Sequence, residues 1–224
     1  DVVIEERIED RATRFAAIYH SELPDVVGPL RSARTTDLQL LATLGRPILV
    51  FSGANVAVFG ELRRFAQGGG VVLIPDDGSG DLHYRDEEFR APDNLFIDLS
   101  FVHDPSRGYV RVQDGAAHLT REGDALVYTN VVVMETRYVQ NANDPESVDA
   151  ITIGEGPVDV MIGGRRFSGT WSRSDDTEPY MFETSDGDEI VLEPGKTWVT
   201  LVPQDTYEFS VDQESQGLVL GSDE

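Results

Sequence analysis

Arg31 and Arg34, in the stretch GPLRSARTTDLQLL (28–41), stand three residues apart at the start of a helical pattern. Two guanidinium groups so placed can grip a carboxylate or phosphate bidentately. A helix entrance already offers free N–H groups and a positive dipole end to an anion. Asp37, one turn further on, can orient one arginine or neutralise it. A second cluster lies in HYRDEEFRAPDNLF (83–96), where Arg85 and Arg90 flank acids and Pro92-Asp93-Asn94 predicts a turn that presents Asn94. With Arg14 and Ser32, these residues make a candidate anion-binding set: Arg14, Arg31, Ser32, Arg34, Asp37, Arg85, Arg90 and Asn94. The bland alternatives are internal salt bridges for the first cluster and a solvated charged loop for the second.

The background sharpens the question. The 224 residues carry 41 acids against 18 basic residues, a formal net charge of −23, and Lys196 is the only lysine. Such a charge repels polyphosphate backbones and anionic membrane surfaces, so nucleic acid is not an expected partner. Cysteine is absent, which excludes disulfides, thiolate metal sites and cysteine nucleophiles.

Other chemistry is hard to sustain. PGKT (194–197) has Ile190 where a phosphate loop needs glycine, and the residues after it are strand-like. Asp77, Ser79, Asp81 and Glu88 have calcium-loop spacing, but Leu82 occupies the glycine position. The histidines stand singly, and no serine lies in a nucleophile elbow. No cofactor and no metal are expected. Trp171 and Trp198 sit in strand contexts, as core packing or, alternatively, as a sugar-stacking platform.

The positioning elements read as follows. TRFAAIYHS (13–21) is β-rich, and residues 32–44 form a helix with Ser32, Thr35 or Thr36 as N-cap. RPILVFSG (46–53) is a buried strand, ANVAVFGELRRFAQ (54–67) a second helix closed by Gly68–Gly70, and VVLIP (71–75) another strand. Residues 1–100 thus predict a layered α/β domain. From about residue 101 to 210, short strands and Asp-Gly or Gly-Gly turns predict an antiparallel β-rich sandwich or barrel-like domain. Residues 211–224 read as an acidic, frayed tail. DVVIEERIED starts abruptly inside an ordered-looking pattern, as expected of a chain whose native N-terminus lies upstream.

Taken in order, TRFAAIYHS, VGPLRSAR, HYRDEEFRAPDN, ALVYTNVVVM, GTW and EPGKTWVTLVP resemble the YerB-like lipoprotein family of bacteria, whose function is uncharacterised. The resemblance spans nearly the whole chain. It implies an α/β domain followed by a β-rich one, and an exported protein of the cell envelope, held to the membrane only by an N-terminal lipid anchor outside this chain. Relatives typically read Pro-His-Asn where this chain has Pro92-Asp93-Asn94, a change that binding survives more easily than acid–base catalysis. Relatives also carry a longer stretch between the halves than LSFVHDPSRG (99–108). The expected partner is an anionic small molecule or envelope polymer. A hydrolase or transferase using Asp37 or Asp93, and an assembly partner working through the β half, remain as alternatives. The oligomeric state stays open.

Overall fold

A computed structural model describes residues 1–8, 12–21, 27–75, 99–113, 116–120, 123–142, 144–212 and 217–221. The strands are β1 (Val2–Arg7), β2 (Thr13–Ile18), β3 (Ile48–Phe51), β4 (Val72–Pro75), β5 (Leu99–Asp104), β6 (Gly108–Gln113), β7 (Ala116–Ala117), β8 (Val127–Tyr128), β9 (Asn130–Thr136), β10 (Tyr138–Asn141), β11 (Asp144–Ala150), β12 (Gly154–Ile162), β13 (Arg165–Arg173), β14 (Met181–Thr184), β15 (Thr197–Pro203), β16 (Glu208–Asp212) and β17 (Gly217–Gly221). Two helices, α1 (Thr35–Leu41) and α2 (Val56–Gln67), lie between β2 and β4.

The continuous apolar runs of β9 and β15 dictate the centre of the molecule. Such strands must be buried on both faces, and they lie inside a seven-stranded sheet of order β14-β13-β12-β9-β15-β1-β2. Alternation along β9 splits its side chains between two cores. Val132 and Met134 face one core with Ile4, Val160, Trp171 and Leu40 of α1. Val131 and Val133 face the other, with Phe101, Tyr109, Tyr128 and Trp198. A second sheet, β16-β17-β5-β6-β7 with β8 on β6, covers this second face. The helix α1 and the β10–β11 hairpin cover the first, through Leu40, Tyr138 and Ala150.

Trp198 anchors the inter-sheet core at 1% exposure. Its indole meets Phe15, Phe101 and Tyr128 edge-on, with ring centres 5.2, 5.9 and 5.1 Å away. Trp171 is equally enclosed, at 2% exposure, and its Nε1 donates to Glu135 O at 2.8 Å. Both tryptophans are core residues, so neither offers a sugar-stacking surface.

The architecture departs from expectation in four places. The local α/β signals are present, but among the described residues β3 and β4 pair in parallel only with each other, joined by α2 over a small core of Ala33, Phe51, Val58 and Leu62. The described residues are thus mostly β, with two short helices. The strands β1 and β2 come from the first hundred residues yet complete the sheet of the second half, where β1 runs parallel to β15 with Val2 opposite Thr197. The apolar Val-Val-Ile run of β1 needs two buried faces, and only a large sheet supplies them. The late half is not purely antiparallel either, because β15 is parallel to both β9 and β1. Finally, the segment expected to fray contains β17, where Gly-Leu-Val-Leu-Gly pairs with β16 and β5.

Candidate functional site

The strand β1 carries two successive glutamates, and strand alternation must send them to opposite faces of the sheet. Both are buried, Glu5 at 1% and Glu6 at 3% exposure. A buried carboxylate is costly unless paired or protonated. Each therefore defines a polar centre inside an otherwise apolar layer.

Glu6 lies directly opposite Arg14 across the β1–β2 ladder. The guanidinium of Arg14 donates to Ser32 O at 2.5 Å. The segment carrying Ser32 is fixed against the end of β3, with Ser52 N donating to Arg31 O and Ala33 N to Gly53 O. Arg34 follows as the N-cap of α1, with extended backbone angles. An arginine side chain has no acceptor for the helix N–H groups. Instead the Asp37 carboxylate, at the third helical position, reaches back and accepts the Arg34 N–H at 2.7 Å, which is half of a capping box. The expected caps serve elsewhere. The Thr35 hydroxyl accepts from Asn141 Nδ2 and the Thr36 hydroxyl from Ala150 N, which clamps α1 to the β10–β11 hairpin.

Three carboxyls, Glu6, Asp37 and Asp149, thus gather around buried Arg34 and half-buried Arg14. Burial, reinforced by the Asp37 charge, holds the Glu6 carboxyl well above the usual carboxylate range, against the pull of Thr36 and Arg34. Burial pushes Asp37 up to about 6, opposed by the Arg34 N–H and by the Arg34 and Arg14 charges. The Oδ2 of Asp149 accepts from Asn141 Nδ2 at 2.8 Å. Both raised carboxyls, Glu6 and Asp37, hold their protons to higher pH than ordinary carboxyls do.

Of the residues singled out in the sequence, Arg14, Ser32, Arg34 and Asp37 come together here. Arg31 lies on the adjacent surface with an exposed side chain. Arg85, Arg90 and Asn94 lie outside the described residues, as do Asp93 and the calcium-like set Asp77, Ser79, Asp81 and Glu88. Helix α1 has only seven residues, so its dipole adds little, and the arginines meet Asp37 instead. Among the described residues, no group of three or more acidic or histidine side chains is arranged to hold a metal ion. After Lys196 the chain enters β15 and opens no helix, which rules out a phosphate loop there.

Glu5 forms the second centre, which reading the sequence missed. Its Oε1 accepts from the Thr13 hydroxyl at 2.9 Å. Burial pushes its carboxyl up to about 7 although the Arg111 charge pulls it down. Arg111 is fully buried, its guanidinium 4.9 Å from the Trp198 ring centre and 5.8 Å from that of Phe15. Its Nη1 lies 2.7 Å from His118 Nδ1. Since arginine can only donate, this contact assigns the imidazole proton to Nε2. The available signal was the acid pair inside Val-Val-Ile-Glu-Glu-Arg, charges placed where a buried strand has no cheap place for them.

A cavity of about 230 Å³ opens between the sheets beside Asp159, Arg166, Ser168 and Tyr207. Asp159 accepts from Arg166 Nε (2.8 Å) and Nη2 (2.6 Å), Ser168 Oγ (2.5 Å) and Tyr207 OH (2.9 Å). This carboxylate is saturated by its own protein, and the network ties β12 and β13 to the chain entering β16.

A β-rich protein of two facing sheets, with arginine–carboxyl clusters buried on both faces of one strand, is the class that these features define. The chain belongs to the family described as protein of unknown function DUF3048. Residues 1–109 match its N-terminal domain and residues 98–199 its C-terminal domain. A curated relative from Bacillus subtilis (strain 168), named "Putative lipoprotein YerB", is 24% identical over 254 residues, which cover 91% of this chain and 75% of the relative. The crystal structure of the YerB protein from Bacillus subtilis shares the fold. Its TM-score is 0.76 at 21% identity, over 91% of this chain and 83% of that one.

Proposed function

We propose that this protein is an exported binding module of the bacterial cell envelope. It holds an anionic group (phosphate, pyrophosphate or uronate) at the corner formed by Arg14, Arg31 and Arg34. Arg85, Arg90 and Asn94 complete the contacts, and Asp37 orients Arg34. The lipoprotein name of the Bacillus subtilis relative supports the envelope location.

One observation carries the reading. In a chain of net charge −23, the Arg14 guanidinium reaches Ser32 O beside buried Arg34, and burial raises the neighbouring Glu6 carboxyl. A raised carboxyl beside two arginines favours a local potential opposed to the field of the whole molecule, as an anion site in an acidic protein requires. Exposed Arg31 supplies the flexible contact at the rim. A second reading, a hydrolase or transferase acting on envelope phosphodiesters or glycans, draws on Asp37, whose carboxyl at about 6 lies beside two arginines and suits a general acid–base group.

Calorimetric titration of the chain with pyrophosphate, galacturonate and a glycerophosphodiester tests the binding reading. Arg31→Ala, a surface change that leaves the buried cluster intact, weakens the bound anion about tenfold, the worth of one charged hydrogen bond. Equal affinity in parent and variant removes Arg31 from the site, and no binding of any of the three removes the site.

A further inference from the structure

We propose that the cavity between the two sheets binds a small α-amino acid as a zwitterion, its carboxylate on Arg166 and its ammonium on Glu135. The strand registers build one wall. Val133 of β9 lies opposite Asp159 of β12, and Asp159 opposite Ser168 of β13, so the three share a face. Glu135 and Arg166, each two residues from one of these along its strand, join the same face. Tyr207 and Phe209, where the chain enters β16, form the other wall. Val133 places the cavity on the face turned to the second core, whereas Glu6 shares the opposite face with Ile4. The cavity therefore lies across the sheet from the anion corner and has no residue in common with it.

Two groups in this cavity are built to hold a ligand. Asp159 grips Arg166 through Nε and Nη2, and the guanidinium lies 3.9 Å from the centre of the Phe209 ring. Those contacts occupy one edge of the planar fork. Among the described residues the edge between Nη1 and Nη2 has no partner, and the side chain is 38% exposed. Such an edge holds a carboxylate bidentately, and a guanidinium already fixed in place loses little freedom on binding. The Ser168 and Tyr207 hydroxyls bring the bonds on Asp159 to four, which fills its lone pairs. Asp159 therefore orients Arg166 and takes no ligand itself. Glu135 supplies the acceptor: its Oε2 accepts from Asp205 N at 3.1 Å, and its Oε1 has no partner among the described residues.

The chemistry selects the occupant. At about 230 Å³ the cavity falls below the roughly 300 Å³ at which drug-sized pockets begin, so the ligand is small. A simple anion would meet Glu135, an arginine already neutralised by Asp159, and the field of a chain of net charge −23. A simple cation would satisfy Glu135 and leave the open Arg166 edge unused. A zwitterion answers both groups and adds no net charge. Its side chain then meets Phe209 and Pro157, the apolar part of the lining.

NMR titration of the full chain with leucine, leucinamide (no carboxylate) and N-acetylleucine (no ammonium) tests the proposal. The expected result is that leucine binds about tenfold more tightly than either analogue, the worth of one charged hydrogen bond. Glu135→Gln weakens leucine by a similar factor and leaves N-acetylleucine unchanged. Arg166→Lys, which keeps a charge for Asp159 and loses the second edge, weakens leucine and leaves leucinamide unchanged. Thermal melting checks that each variant is folded; should Arg166→Lys unfold, Glu135→Gln and the two analogues decide. No leucine binding at about 10 mM, an analogue that binds as tightly as leucine, or parent-like leucine affinity in either charge variant overturns the proposal. So does loss of leucine binding in Arg31→Ala, which would place the amino acid at the anion corner. Failure of Arg31→Ala to weaken small anions leaves this test untouched.

Discussion

Replacing Glu5 with glutamine raises the melting temperature at pH 8 by roughly 6–12 °C and leaves it nearly unchanged at pH 5. Burial raises the Glu5 carboxyl from 4.5 to about 7 in the folded protein. Between those values the folded state binds more protons than the unfolded one, so stability falls as pH rises from about 4.5 to 7 and is level above. The accumulated loss at pH 8 is on the order of 3 kcal/mol. Glutamine copies the protonated acid, keeps an acceptor for Thr13, and removes the loss. Glu6 pushes the profile in the same direction, since its carboxyl is raised for the same reason. Calorimetry of parent and variant at the two pH values decides the matter. Equal destabilisation at both would mean that Glu5 is ionised throughout and works as a needed counter-charge to Arg111.

Trp198→Ala costs more than any other single truncation expected here, about 3–5 kcal/mol, against a total of roughly 5–15 kcal/mol for an ordinary domain. The indole is the common neighbour of Phe15, Phe101 and Tyr128, so its loss opens the space between the sheets instead of one edge of it. It also strips the buried Arg111 guanidinium of an aromatic face. The Trp198 Nε1 bond to Thr200 Oγ1 goes with it, leaving a buried hydroxyl to find another partner. Urea unfolding measures the change, and Trp198→Phe, which retains a ring, loses less. A cost below 1 kcal/mol for the alanine would show that the two sheets do not depend on this contact.

How far the sequence could be read follows from the range of each interaction. Both helices and the strands β2, β3 and β4 were legible because apolar periodicity and the glycines from Gly68 that close α2 act within a few residues. Arg34 and Asp37 were legible as a pair because they are one turn apart. The placement of β1 was not, because its partner β15 lies almost the whole chain away and nothing in Val-Val-Ile-Glu-Glu-Arg names it. For the same reason Glu5 and Arg111 were invisible as partners, brought together from β1 and β6 by the closing of two sheets. The N-cap was misread because Thr35 and Thr36 look like caps locally, while the β10–β11 hairpin takes their hydroxyls instead. Seven helical residues also looked like thirteen, since the 3₁₀ turn at Ala42–Leu44 continues the apolar spacing without continuing the α-helix.

The central claim is that Arg14 and Arg34, beside a Glu6 carboxyl that burial raises, form a corner positive enough to hold an anion. Its most direct measurement is the affinity for galacturonate, whose own charge is constant over the range, from pH 5.5 to 8.5 in the parent and in Glu6→Gln. The account predicts that the parent weakens as pH rises, because Glu6 and Asp37 give up protons beside the arginines, and that the glutamine variant weakens less. Identical profiles for the two proteins, or a parent that binds more tightly as pH rises, would contradict it.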